Sequence, residues 1–112
     1  MSLDPLGSLD AGLVGAARWF VDGLRSAGLS VVVTSSRRSF AQQATLYASR
    51  YSNPYPVARP GTSKHERGLA FDVAISLRQY EAWAGAQWER LGGRWGGRFR
   101  QYDGVHFEAP WG

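Results

Sequence analysis

Residues 63–75 of this chain, SKHERGLAFDVAI, combine a tight turn with a strand. Bulky apolar residues stand at every second position from 69 to 75, and they alternate with Ala70, Asp72 and Ala74. This alternation predicts a β-strand with one core face and an opposite face of small residues around a single carboxylate. Gly68 lets the chain turn into the strand, and His65 lies seven residues before Asp72.

The residues before this stretch predict two helices and one strand. Apolar residues at three- and four-residue steps indicate an amphipathic helix over about 8–27, and SVVVTS at 30–35 indicates a buried strand. Ser39 followed by Gln42 is typical of a capping box at the start of a second helix. The apolar stripe of that helix is expected at Phe40, Ala44, Tyr47 and Ala48.

After residue 75, Ser76 is expected to cap a third helix that runs to about 91, and a glycine-rich turn leads to a last strand at 105–108. The order helix–strand, repeated three times, would by itself suit a parallel α/β sheet. The last connection is too short and glycine-rich for that arrangement. We therefore expect a single α+β domain over residues 1–112, with a largely antiparallel sheet, about three helices packed on it and a site on the sheet face.

Composition limits the classes of function. The hydrophobic fraction of 44% is that of a globular protein, and the absence of cysteine excludes thiolate catalysis and cysteine-ligated metal. The net charge of +4 comes from scattered arginines without an interleaved basic and aromatic run, so no nucleic-acid partner is expected. The N-terminus predicts no signal peptide, and no stretch approaches the ~20 apolar residues of a transmembrane segment.

The two histidines of the chain are the strongest candidates for chemistry. His106 lies on the last strand and points opposite to Val105 and Phe107. If that strand neighbours the strand of Asp72, both side chains project from one face, where His65 can join them. Two imidazoles and one carboxylate suit Zn²⁺ and leave a fourth position open. The alternative is an Asp–His hydrogen-bonded pair without metal.

Asp103 stands three residues before His106. On one continuous strand the two side chains would point to opposite faces. If the strand begins after Gly104, Asp103 belongs to the turn and can lean towards the metal, where a carboxylate that holds no ion can serve as general base. The alternative is an aspartate that only stabilises a turn before glycine.

The pattern SxHxxGxAxD at 63–72, followed by DxxH at 103–106, resembles the zinc D-alanyl-D-alanine carboxypeptidases and their phage endolysin relatives. The resemblance extends from about Val31 to Trp111. Within it, RWGGRF followed by YDGVHFE looks most like the L-alanyl-D-glutamate endopeptidase branch of the phage lysins.

The resemblance implies zinc on His65, Asp72 and His106, and Asp103 as the catalytic base. The segment SSRRSFAQQ resembles the part of the family that carries an arginine near the scissile carbonyl, which implies Arg38, with Arg37 as the alternative. Ser63 is expected to line the substrate pocket. Gln42 or Gln43 is expected to orient substrate, although Gln42 could equally cap its helix. The loop Tyr51–Arg59 is a candidate wall of the pocket.

The expected function is zinc-dependent hydrolysis of an amide bond in peptidoglycan stem peptides, most closely that of an L-alanyl-D-glutamate endopeptidase. A D-alanyl-D-alanine carboxypeptidase is the alternative within the enzyme class, and a non-catalytic zinc-fold binding module is the alternative outside it. The expected protein is a monomer that acts on the bacterial cell wall. The resemblance further implies a phage-derived protein that is released by lysis or carried on a virion.

Overall fold

The computed structural model describes residues 4–112, which form three helices and a four-stranded sheet. The helices and strands follow the chain in the order α1 Ala11–Ser26, β1 Val31–Ser35, α2 Phe40–Ala48, β2 Ala70–Ile75, α3 Glu81–Arg90, β3 Arg94–Trp95 and β4 His106–Glu108. The strand order in the sheet is β1-β2-β4-β3, and every neighbouring pair is antiparallel. The predicted α+β class with an antiparallel sheet is therefore confirmed.

The hydrophobic core lies between one face of the sheet and the helices α1 and α3. Phe20 of α1 contacts Phe71 of β2, Trp88 of α3 and Phe107 of β4, with ring centroids 4.9–6.2 Å apart. All four side chains are almost fully buried. Because side chains alternate along a strand, the residues next to Phe71 and Phe107 point to the opposite face. These residues are Asp72 and His106.

Strand register places the two predicted ligands directly opposite each other. Asp72 pairs with His106, and Phe71 pairs with Phe107. On the other side of β2, Asp72 faces Ser35, after an irregularity in β1 between Val33 and Ser35. The expectation that β2 and the last strand are neighbours is confirmed.

Several local predictions need correction. The first helix begins at Ala11, because the Asp10 carboxylate accepts from the Gly12 amide and caps it there. Ser76 caps no helix, since its hydroxyl donates to the Ser30 carbonyl and α3 begins only at Glu81, after a 3₁₀ turn. The last strand begins at His106, one residue later than predicted.

The predicted apolar stripe of α2 is wrong. Phe40 is 62% exposed, and the one buried residue of this helix is Gln43. The predicted capping box of Ser39 and Gln42 is present. Helix α2 thus turns an amide towards the interior instead of an apolar face, because its inner side borders a cavity where Arg38 and the Ala58 carbonyl bind that amide. None of the helices in residues 4–112 is long and apolar enough to cross a membrane.

Candidate metal centre

Three segments bring the candidate ligands together. Asp72 and His106 project from the paired strands β2 and β4, and His65 comes from a one-turn 3₁₀ helix, Lys64–Arg67. A capping box of Ser63 and Glu66 begins that turn, and Gly68 ends it in the left-handed region at φ 71°. The motif around His65 therefore builds a rigid turn that places the imidazole beside β2.

The three side chains form a compact group of potential ligands. One ligand atom from each of His65, Asp72 and His106 lies within 4.8 Å of the other two. Asp72 Oδ1 is 3.3 Å from both His65 Nε2 and His106 Nδ1, yet this buried oxygen has no hydrogen-bond partner. A buried carboxylate oxygen without a partner is costly unless it binds a cation. The donor set and the unsatisfied oxygen fit a zinc ion.

The atoms that point away from this centre are all bound elsewhere. His65 Nδ1 lies 2.7 Å from the Ser36 carbonyl, Arg38 Nη2 donates to Asp72 Oδ2 at 3.0 Å, and His106 Nε2 lies 2.8 Å from Glu108 Oε1. These contacts leave Nε2 of His65, Oδ1 of Asp72 and Nδ1 of His106 for an ion. Such outer contacts orient metal ligands and set their tautomers.

Charges in the site shift the pKa values of its groups. Burial alone would raise the pKa of Asp72, but the His106 and His65 imidazoles beside it hold that pKa well below its usual range. Burial opposes protonation of His106, yet Asp72 and Glu108 raise the pKa of His106 to about 9. A metal at Nδ1 would take the place of a proton, so metal binding and proton release are coupled.

Asp103 lies in the turn before β4, as the position of Gly104 led us to expect. Its side chain lines the same cavity as the three ligands, and its Oδ1 is buried without a hydrogen-bond partner. Burial raises the pKa of Asp103 to about 6. A carboxylate whose pKa is near neutrality and whose oxygen is uncommitted can accept a proton in catalysis.

The RWGG segment, residues 94–97, packs against this turn and supports it. Trp95 Nε1 donates to the Gly104 carbonyl at 2.9 Å, and the Asp103 amide donates to the Gly96 carbonyl at 3.0 Å. A Cβ on Gly96 would lie 2.2 Å from the Asp103 carbonyl oxygen, and one on Gly97 would lie 2.2 Å from the Trp95 ring. The two glycines are therefore required for this close approach, and 94–97 and 102–104 form one structural unit.

The centre opens into a cavity of about 710 Å³. One part of its wall is the segment 53–58 of the predicted substrate loop, and another is formed by Phe99 and Gln101. The cations that line it are Arg38 and Lys64, and each pairs with a carboxylate, Asp72 and Glu108 respectively. A cavity of this size is in the range of ligand-binding sites.

The remaining predicted residues lie in different places. Ser63 is 7% exposed and lines the cavity, where its hydroxyl also accepts from the His65 amide. Arg37 points away from the metal centre and donates to the carbonyls of Ser8 and Arg67. The Gln42 side chain accepts from the Ser39 amide and is used in the capping box.

Gln43 is the glutamine that the fold turns to the cavity. Its Oε1 accepts from Arg38 Nη1 at 3.2 Å, and its Nε2 donates to the Ala58 carbonyl at 2.9 Å. It therefore connects Arg38 to the loop wall. The sequence left Gln42 and Gln43 as alternatives for orienting substrate. In the fold, the capping box uses Gln42, and Gln43 is the one that faces the cavity.

Sequence reasoning did not single out Glu108 and Lys64. Glu108 is 5% exposed and binds both His106 and Lys64. The period-two alternation of a strand would have placed Glu108 on the same face as His106. Its partner on the neighbouring strand β2 is Ala70. The contact with Lys64 depends on the tertiary fold, since 44 positions of the chain separate the two residues.

The family profile described as VanY: D-alanyl-D-alanine carboxypeptidase matches residues 7–90, which is more than half of the chain. The chain belongs to this family. The match includes His65 and Asp72, whereas Asp103 and His106 lie beyond it. No curated protein matches the sequence significantly.

Solved structures share the fold. The vancomycin resistance D,D-pentapeptidase VanY (E175A mutant, VanB-type cassette), crystallised with Zn(II), is 19% identical with a TM-score of 0.72, covering 97% of this chain and 78% of that chain. VanYB in complex with D-alanine-D-alanine is 20% identical with a TM-score of 0.74, covering 97% and 77%. The L-Ala D-Glu endopeptidase ChiX of Serratia marcescens is 24% identical with a TM-score of 0.68, covering 94% and 83%.

Family membership confirms the prediction of a zinc-dependent peptidoglycan peptidase at the level of the family. These three structures include both a D,D-pentapeptidase and an L-Ala D-Glu endopeptidase, and all three are below 25% identity. They establish the fold of this VanY-family chain.

Proposed function

We propose that this VanY-family chain is a zinc endopeptidase that cleaves the L-alanyl-D-glutamate bond of peptidoglycan stem peptides. His65, Asp72 and His106 hold the metal, and Asp103 is the general base. The observation that carries the proposal is the pair of buried carboxylate oxygens without partners, Asp72 Oδ1 and Asp103 Oδ1, which belong to one cavity. One is directed to the candidate ligand group and the other is free to accept a proton.

Each residue has a distinct task. When bound, zinc polarises the scissile carbonyl and makes water more acidic. Asp103 removes the proton of the attacking water and returns it to the leaving amine, because its uncommitted carboxylate oxygen lines the same cavity as the three ligands. The Arg38 guanidinium, 3.0 Å from Asp72, adds positive charge beside the position where the oxyanion develops.

The turn that carries Asp103 supports the endopeptidase assignment. RWGG and YDGVHFE are the parts of the sequence that resemble the endopeptidase branch, and the two segments pack together as one unit around Asp103. The fold shared with ChiX, an L-Ala D-Glu endopeptidase, is consistent with this assignment.

The second candidate is a D-alanyl-D-alanine carboxypeptidase. It is favoured by the description of the family profile and by a shared fold with VanYB, which was solved with D-alanine-D-alanine. A carboxypeptidase needs a cation for the terminal carboxylate. Arg38 lines the cavity beside the centre and is available for this task, while it also binds Asp72 and Gln43. A non-catalytic module is disfavoured because Asp103 is present with an uncommitted oxygen.

Digestion of intact peptidoglycan decides between these activities. The expected products are new N-terminal D-glutamate groups together with free stem peptides, detected by end-group analysis and mass spectrometry. The Asp103→Ala variant, which keeps the three ligands, is the matched control and should release neither product. Release of D-alanine alone would assign the carboxypeptidase. Binding to peptidoglycan without any product from the zinc-loaded protein would contradict both activities.

A further inference from the structure

Glu108 is a buried carboxylate that the reaction described above does not use. Its side chain is 7% exposed, and Oε1 lies 2.8 Å from His106 Nε2. Its second oxygen is 2.8 Å from Lys64 Nζ and 3.6 Å from Arg94 Nη1. The carboxylate therefore contacts a candidate metal ligand on one side and cations on the other.

Lys64 is the only lysine among the 13 lysine and arginine residues of the chain. Its ammonium lies near three oxygens: Glu108 Oε2 at 2.8 Å, the Ala109 carbonyl at 3.2 Å and the Trp111 carbonyl at 3.4 Å. An ammonium has three donors in a compact tetrahedral arrangement, which a planar guanidinium cannot reproduce. The three oxygens around Lys64 Nζ therefore match an ammonium better than a guanidinium.

Stability alone does not account for this arrangement. Removing two charges from water costs several kcal/mol per ion, so a buried ion pair is often no more stabilising than apolar residues of the same volume. The ion pair of Lys64 and Glu108 instead fixes the positions of two segments relative to each other. Lys64 immediately precedes His65, so the ion pair joins the segments that carry two of the candidate ligands.

The contact between Glu108 and His106 determines which imidazole nitrogen faces the centre. A neutral imidazole carries one proton, and a carboxylate at Nε2 keeps that proton on Nε2. The lone pair is then on Nδ1, the atom that lies 3.3 Å from Asp72 Oδ1. His65 is oriented in the opposite sense, because the Ser36 carbonyl at its Nδ1 leaves Nε2 for the centre.

We propose that Glu108, held in place by Lys64, is a positioning residue that fixes the tautomer and ring orientation of His106 for metal binding through Nδ1. This inference rests on the metal site proposed above. Glu108 also lines the cavity, but its two oxygens are bound to His106, Lys64 and Arg94, so it acts on the metal through His106. Its loss therefore lowers metal affinity before it affects any later step.

The test is zinc affinity, measured by competition with a chromophoric chelator. Glu108→Gln keeps the shape of the side chain and removes its charge, and we expect zinc to bind about 10–100-fold more weakly, the usual range when such a carboxylate is lost. The matched control is Glu81→Gln, because Glu81 is also buried and its carboxylate binds Tyr102 and not a candidate ligand. The control should bind zinc as the parent protein does.

A spectroscopic measurement on the unsubstituted protein makes the test independent of whether a variant folds. In ¹⁵N-resolved histidine spectra of the zinc-loaded chain, His106 should be protonated at Nε2 and bound through Nδ1. Binding through Nε2 would overturn the proposal.

The variants separate this inference from the proposed function. If His106→Ala loses zinc while Glu108→Gln binds it like the parent, the positioning role is refuted and the metal site stands. If His106→Ala also binds zinc like the parent, His106 is not a ligand of the proposed metal site, and the role of Glu108 is refuted with it.

Discussion

Replacing Gly85 by alanine is a sharp test of how the fold supports Asp103. Gly85 lies inside α3, where alanine is normally favoured over glycine by about 0.5–1 kcal/mol. Here an added Cβ would lie 2.1 Å from Cδ2 of the Trp95 ring, whereas ordinary contacts begin at 3.4 Å. The indole would have to retreat by about 1 Å or more. Its Nε1 is bound to the Gly104 carbonyl, so the turn of Asp103 must move with it.

Gly15 in α1 provides the matched control. It is also inside a helix, but a Cβ at this position would meet no atom within 4 Å. The helix-propensity gain is common to both substitutions, so the difference between the two variants measures the clash at Trp95. Overpacking of this kind costs about 1–3 kcal/mol. At about 4–8 °C per kcal/mol for a domain of about this size, Gly85→Ala should melt well below Gly15→Ala.

Thermal unfolding followed by circular dichroism measures the stability difference, and peptidoglycan digestion measures activity. Because a displacement of about 1 Å at a catalytic group can cost ~10²-fold in rate, Gly85→Ala should lose activity by about that factor at a temperature where it is folded. Gly15→Ala should keep parent activity and melt a few degrees higher. Equal melting temperatures and equal activities of the two variants would refute the packing of Trp95 on Gly85 and its support of Asp103.

Three further predictions concern the centre itself. Replacing His65, Asp72 or His106 by alanine should strongly reduce zinc retention from about one ion per chain, as measured by elemental analysis, and unchanged retention in all three variants would exclude this ligand set. Asp103→Ala should keep zinc while the hydrolysis rate falls by about 10²–10⁴, and loss of zinc in this variant would make Asp103 a ligand. Arg38→Lys keeps the charge but loses the planar fork that spans Asp72 and Gln43, so turnover should fall clearly, and parent-like turnover would remove Arg38 from the mechanism.

Much of the architecture could be predicted because local patterns carried it. The alternation around Asp72 predicted β2 and its two faces, and the capping box at Ser39 correctly placed the start of α2. The start predicted for the helix after Ser76 was wrong, because the Ser76 hydroxyl binds the Ser30 carbonyl, directly before the neighbouring strand β1. A sequence window shows which residues can cap, but not which acceptor the fold will bring to them.

In the candidate site, too, local motifs predicted some features and the tertiary fold decided others. The spacing of SxHxxGxAxD and DxxH was enough to name His65, Asp72, Asp103 and His106, because each lies within a short motif whose local conformation is strongly constrained. The assignment between neighbouring residues was not available from the motifs. Arg37 and Arg38 are adjacent, and their side chains point to opposite sides of the backbone. In the fold, Arg37 donates to the Ser8 carbonyl and Arg38 donates to Asp72.

The sequence by itself determined which residues are the candidate ligands, their order and the strand face on which Asp72 stands. Only the tertiary structure decided that Asp72 lies opposite His106, that Trp95 supports the turn of Asp103, and that Lys64 binds Glu108 behind His106. The physical reason is the distance along the sequence over which each interaction acts. Alternation, capping and turn chemistry act over a few residues, whereas strand register and a buried ion pair join segments about 34 and 44 positions apart, and these form only when the whole core packs.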